Sequence, residues 1–122
     1  MTSPPSEFAA EILHRPRAVI GTGTQGRRIA LMLASQGGEV RIYGRSAGGR
    51  EEAKSFVAEN LADIARRVGG TPGQIVLCDS MEAAVANIGL AIEAVPEQLE
   101  LKREIFSTID RLAPADAVLG SN

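Results

Sequence analysis

One cysteine, one histidine, one tyrosine and no tryptophan occur in these 122 residues, and each scarcity excludes something. A lone cysteine rules out an internal disulfide. Cys78, inside the apolar run Ile75-Val76-Leu77-Cys78, reads as a buried strand residue rather than a nucleophile, and a reducing, cytoplasmic setting fits it. His14 precedes the first expected strand and reads as solvated. With aromatics at 3%, the core must be built from Ala, Val, Ile and Leu. No apolar run approaches the roughly 18 residues of a membrane span. Met1 to Arg17, with Pro4, Pro5, Glu7 and Glu11, also lacks the charged-then-apolar layout of a signal peptide. A formal net charge of −2 leaves no electrostatic footprint for nucleic acid or an anionic membrane.

What is present fits one globular domain. At 122 residues the chain has room for one domain and not for two, and its 44% hydrophobic content is that of an ordinary globular chain. Residues 1–16 read as a flexible leader with a helical turn around Phe8 to Leu13, and residues 17–122 as the folded unit. The organising stretch is Ala18-Val19-Ile20-Gly21-Thr22-Gly23-Thr24-Gln25-Gly26, a short β-favouring run entering Gly-x-Gly-x-x-Gly. In a strand-to-helix turn of this kind Gly21 takes backbone angles closed to other residues. Gly23 lets main chain approach a pyrophosphate, and Gly26 lets the helix sit close to the strand. The N–H groups and partial positive charge of the new helix then hold the diphosphate. A glycine-rich packing turn that binds nothing is the plainer alternative.

The remaining chain alternates strands and helices. A helix follows the glycine turn to about Gln36, with Gly26, Ile29/Ala30 and Leu33 inward. Glu39 to Tyr43 alternates outward Glu39 and Arg41 with inward Val40 and Ile42. A loop spans Gly44 to Gly49, and the spacing predicts a helix from Arg50 to Val68 with Ala53, Phe56, Val57, Leu61, Ile64 and Val68 on one face. A turn at 69–73 leads to a strand at Ile75 to Cys78. Asp79 or Ser80 caps a short helix, Met81 to Ala86. Leu90 to Val95 is a strand holding an unexpected carboxylate, Glu93, which is costly to bury unless hydrogen-bonded. Pro96 and Glu97 open a helix with Leu101, Ile105, Ile109 and Leu112 inward, and Val118-Leu119 begins a fifth strand. This order predicts an α/β fold: a Rossmann-type, doubly wound parallel sheet in three α/β/α layers.

The end of the second strand bears on the cofactor. An NAD site usually places a carboxylate there, about 20 residues past the glycines, to bind the ribose; here Gly44 stands in its place, followed by Arg45 and Ser46. A carboxylate about 4 Å from a phosphate charge would cost about 4 kcal/mol per pair at an effective dielectric near 20. Glycine removes that penalty, and a neighbouring guanidinium suits a 2′-phosphate. NADP(H) is therefore expected to be preferred over NAD(H).

Three stretches together carry a more specific likeness: Ile20 to Ala30, the segment Ala91-Ile92-Glu93-Ala94-Val95-Pro96-Glu97-Gln98-Leu99-Glu100-Leu101-Lys102-Arg103-Glu104-Ile105-Phe106, and the closing Ala113-Pro114 with Leu119-Gly120-Ser121-Asn122. From Arg17 onward the chain resembles the N-terminal cofactor-binding domain of the 3-hydroxyacyl-CoA dehydrogenase family. The resemblance implies that Gly21, Gly23, Thr24, Gln25 and Gly26 surround the pyrophosphate. It places Ala94, Val95 and Glu97 by the nicotinamide-side ribose with Lys102 supporting them by charge, and Asn122 at the nicotinamide pocket. The activity implied is hydride transfer between NAD(P) and a 3-hydroxyacyl thioester or a related 3-hydroxy acid. The full-length enzyme is implied to be a homodimer, with its catalytic histidine and partner glutamate beyond Asn122.

The chain departs from that pattern in lacking the acidic residue after the second strand, and in a shorter stretch between Val68 and Ile75. The family carries a helical excursion there that helps hold the acyl-CoA, so a smaller or differently carried substrate is implied. A module that binds NADP(H) to report redox state without catalysis is the competing reading.

Overall fold

The computed structural model describes residues 14–95 and 98–121, so the leader except for its last residues lies outside the described part. Nine elements follow one another: β1 (Arg17–Ile20), α1 (Thr24–Ala34), β2 (Glu39–Tyr43), α2 (Ala47–Val68), β3 (Gln74–Cys78), α3 (Met81–Val85), β4 (Leu90–Glu93), α4 (Leu99–Leu112) and β5 (Val118–Ser121). The five strands form one parallel sheet in the order β3-β2-β1-β4-β5. The order reverses at β1, whose Ile20 pairs with Tyr43 on one side and Glu93 on the other. Parallel strands need long crossovers, and the helices provide them on both faces, as in a doubly wound sheet.

Strand periodicity builds two cores. Val19 of β1 joins Val40 and Ile42 of β2 against Ala30, Leu31 and Ala34 of α1 and Ala53 and Val57 of α2. Ala18 and Ile20, facing the other way, pack with Cys78, Ala84, Val85, Ile88, Ala91 and Ile109. Small aliphatic residues thus fill both sides, as the scarcity of aromatics requires.

Several boundaries differ from the expected ones. The second helix begins at Ala47 rather than Arg50, because Ser46 caps it by accepting the Gly49 N–H at 2.9 Å. Glycine stands at position 49 inside this helix despite its poor propensity, and a Cβ there would meet Thr22 Oγ1 at 2.7 Å. At the other end of this helix, Val68 is 49% exposed: Ala65 is the last buried residue before Gly69 reverses the chain at φ 71°. In α1 the buried stripe is Gly26, Ala30, Leu31 and Ala34, turned slightly from the expected one, and Leu33 is half-buried. Ser80, not Asp79, caps α3, accepting the Ala83 N–H at 3.1 Å. Arg41 does not project into solvent. It pairs with Glu39 at 2.6 Å and donates to the carbonyls of Ala83 and Ala86 at 3.2 and 2.5 Å, closing the C-terminus of α3. Pairing in β4 stops at Glu93, two residues short of Val95, and the start of the helix expected at Pro96 and Glu97 lies outside the described residues.

Below the sheet, at the strands' N-terminal edge, Arg17 is buried. Its guanidinium donates to the Leu33 carbonyl at 3.1 Å and also to that of Gly37, and burial lowers its pKa. The turn at 69–73 lies at this same edge. A Cβ on Gly70 would fall 2.2 Å from the Ser35 carbonyl oxygen, and one on Gly73 would fall 2.4 Å from that of Gly38. The Gly73 N–H donates to Ala34 and that of Gln74 to Gly38.

Candidate cofactor site

At the opposite, C-terminal edge of the strands a crevice of about 950 Å³ opens over the reversal point. Its floor is the turn between β1 and α1. The Gly21 N–H donates to Tyr43 of β2 and the Ala94 N–H to Ile20 of β1, both at 2.8 Å, so three strand ends are drawn together. The glycines divide the work as their spacing predicts. Gly21 sits at φ +130°, and a Cβ there would meet the Ala94 carbonyl oxygen at 2.5 Å. On Gly26 a Cβ would lie 2.0 Å from the Gly21 carbonyl oxygen. Gly23 is different. Its φ of −69° suits any residue, and a Cβ would meet nothing within 4 Å. Folding therefore does not require glycine at position 23, whereas a ligand pressed against that backbone does.

The helix above this turn is left open. Among the described residues no side chain caps α1, and its first turn holds no acid, whereas α2 and α3 both carry serine caps. Unsatisfied N–H groups at such an end form an anion site. Arg27 braces the turn from behind, donating to the Thr22 carbonyl at 3.3 and 3.2 Å. The same guanidinium reaches Glu52 at 3.6 Å and lies 6.0 Å from the Phe56 ring centre.

The crevice lining gathers Gly21, Gly23, Thr24 and Gln25 with Gly44, Arg45, Ala94 and Val95, all expected from the sequence. Gly26 is buried beneath the turn, and Ser46 is engaged as the cap of α2. Gly44 has a steric cause as well: a Cβ there would meet Thr22 Cγ2 at 2.4 Å. Arg45 is exposed, and the first turn of α2 that follows it holds no acid. Glu97 and Asn122 lie outside the described residues. Not anticipated were Met81, Leu101, Ile105 and Thr108, which form the wall opposite the turn. Leu101 and Ile105 do belong to the recognised apolar stripe of α4, but helical periodicity alone cannot separate a core stripe from a crevice wall.

Lys102 faces Glu93 rather than the lining. Glu93 is fully buried, and Lys102 Nζ donates to both its carboxylate oxygens at 2.8 and 2.9 Å. The Val95 N–H donates to it at 2.6 Å and the Ser121 hydroxyl at 2.7 Å. Burial alone would push this carboxyl's pKa up, but the bonds from Lys102, Val95 and Ser121 together outweigh it and hold the group below the ordinary glutamate value. Cys78 is buried, and burial pushes its thiol up, as befits an inert core residue. Among the described residues no group of acids, histidine and cysteine is placed to hold a metal ion, and no helix is long and apolar enough to cross a membrane.

A parallel sheet reversing at its first strand, with a glycine turn and an open helix end at the reversal, defines a Rossmann-type dinucleotide-binding domain. Residues 17–122 match the family model described as 3-hydroxyacyl-CoA dehydrogenase, NAD binding domain. The chain belongs to that family. It is 36% identical over 110 residues to 5-formyl-3-hydroxy-2-methylpyridine 4-carboxylate 5-dehydrogenase of Mesorhizobium japonicum, covering 86% of this chain and 35% of that enzyme. It is 31% identical over 133 residues to human mitochondrial hydroxyacyl-coenzyme A dehydrogenase, covering 99% of this chain and 42% of the relative. The crystal structure of a 5-formyl-3-hydroxy-2-methylpyridine 4-carboxylic acid 5-dehydrogenase, described as an NAD+-dependent dismutase, superimposes with a TM-score of 0.77 at 30% identity. It covers 88% of this chain and 36% of that one. The chain thus spans about two fifths or less of these relatives.

Proposed function

We propose that this chain is the cofactor-binding part of an oxidoreductase that interconverts a 3-hydroxyacyl thioester, or a related 3-hydroxy acid, and its 3-oxo form. The observation that carries the reading is Gly23, a glycine with nothing to avoid in the folded chain, at the mouth of an uncapped helix. Gly21, Gly23, Thr24 and Gln25 would hold the diphosphate, and Gly44 and Arg45 the adenosine side. Ala94, Val95, Glu97 and Asn122 would border the nicotinamide side. The dinucleotide, when bound, supplies the hydride acceptor for oxidation of a secondary alcohol. The residues of this domain bind and orient it. Removal of the hydroxyl proton needs a base within hydrogen-bond reach of that oxygen. His14 is exposed and precedes β1, at the far end of the strands from the crevice. We therefore assign the acid/base group to a part of the full enzyme outside this domain, together with the subunit contacts of a homodimer.

The turn at 69–73 lies beneath the sheet, away from the crevice, so its shortness is not a measure of the space left for substrate. For the cofactor, we infer a preference for NADP(H). What supports it is Arg45 at the crevice beside an α2 end without acids, and a Gly44 site that Thr22 keeps too crowded for a carboxylate.

Calorimetric titration of the chain and of Arg45→Ala with NADH and NADPH tests both inferences. NADPH is expected to bind at least tenfold more tightly, about 1.4 kcal/mol, and Arg45→Ala to erase most of that margin while leaving NADH within twofold. Equal affinities that the substitution leaves alone would end the NADP reading. Binding of neither nucleotide would end the site itself.

A further inference from the structure

Glu93 is joined to more of the molecule than its own strand requires. Its carboxylate receives four hydrogen bonds, two from Lys102 Nζ, one from the Val95 N–H and one from the Ser121 hydroxyl. These donors belong to three separate segments: the exit of β4, the first turn of α4 and the last residue of β5. All three converge on the β4–β5 side of the reversal point, where Ile20 pairs with Glu93 and Glu93 with Ser121. Lys102 is itself largely withdrawn from water, its side chain 14% exposed. A buried ion pair is weak evidence for stability, since apolar residues of similar volume often do as well. A fully satisfied polar network does hold its members in one arrangement.

The position says what is being arranged. The residues directly after Glu93 are Ala94 and Val95, which line the crevice. With the diphosphate over the β1–α1 turn and the adenosine side at the end of β2, a dinucleotide must cross β1 toward β4 and β5, so its other half meets this corner. We propose that Glu93 is a positioning residue for the nicotinamide half of the bound dinucleotide, its carboxylate locking the β4 exit, the start of α4 and the end of β5 into a single wall. This rests on the dinucleotide reading of the crevice. It differs from the role that the family likeness implies for Lys102, which here serves the wall through Glu93.

The test compares NADH with ADP, which has the adenosine and diphosphate but no nicotinamide riboside. Neither carries a 2′-phosphate, so the Arg45 question drops out. Calorimetry on the wild-type chain and on Glu93→Gln is expected to show NADH affinity falling at least tenfold, with ADP affinity within twofold. Unchanged NADH affinity would overturn the proposal. So would an equal loss of both ligands, which is what a merely structural role predicts. A wild-type chain that binds neither nucleotide would overturn the dinucleotide reading as well, and so is told apart from failure of the wall alone. Should Glu93→Gln not fold, Ser121→Ala removes a single bond to the same carboxylate. Its expected signature is a roughly threefold loss confined to NADH, and no such loss would count against the proposal.

Discussion

Two corners of the crevice are held by opposite means. The β1–α1 turn is held by what is missing: Gly21 and Gly26 let backbone lie where any side chain would collide, with prospective contacts of 2.5 and 2.0 Å. The β4–α4–β5 corner is held by what has been added, a carboxylate at zero exposure with an ammonium and two neutral donors around it. The first corner is rigid mainly through backbone contact, with Arg27 bracing the Thr22 carbonyl from behind. The second is rigid through charge and depends on a proton being absent. A ligand spanning both would rest on one support set by packing and on another set by protonation.

The largest effect expected from breaking this comparison is on the first corner. Gly26→Ala forces a Cβ against the Gly21 carbonyl, and thermal or urea unfolding should register a loss of about 2–4 kcal/mol, as for overpacking with backbone displacement. Gly23→Ala in the same turn is the control. It should leave the unfolding midpoint nearly unchanged, within about 0.5 kcal/mol, yet lower dinucleotide affinity at least tenfold. Equal thermal losses in the two variants would remove the distinction between packing glycine and ligand glycine.

The smaller effect belongs to the second corner. Glu93 is held below the ordinary glutamate pKa, near 4.3 in model peptides. Its folded-state pKa is thus the depressed one, and its contribution is fully present above the unfolded value and lost as pH falls through the folded one. The groups facing it are the Lys102 ammonium, the Val95 N–H and the Ser121 hydroxyl. Acid unfolding followed from pH 7 down to pH 2 should therefore be less steep for Glu93→Gln than for wild type below about pH 4. Superimposable acid limbs would show that the corner does not depend on its charge.

The first corner was legible in the sequence because its device is local. Gly21, Gly23 and Gly26 act through their own backbones, so spacing alone assigns them, and the strand and helix on either side supply the context. The alternation of elements made a parallel, doubly wound sheet legible, whereas the order β3-β2-β1-β4-β5 is seen only in the structure. Glu93 could be marked as anomalous, a carboxylate in an apolar strand, but its partners lie 9 residues away in Lys102 and 28 away in Ser121, a distance that no local pattern spans. Arg41 was misread for the same reason. Alternation placed it on the solvent side of β2, whereas the carbonyls it meets belong to α3, 42 to 45 residues later. The Met81, Leu101 and Ile105 wall needed the fold, since only tertiary packing decides which part of an apolar stripe is left uncovered.

The turn beneath the sheet has a consequence for the helix that opens at the crevice. Gly70 and Gly73 press main chain onto main chain against Ser35 and Gly38, and the Gly73 and Gln74 amides stitch the two segments together. Extra residues spliced into that seam would have to pry two backbones apart before forming anything of their own. The far end of α1 is thereby pinned to the entry of β3, and the helix end that faces the crevice is carried on a shaft fixed at its base.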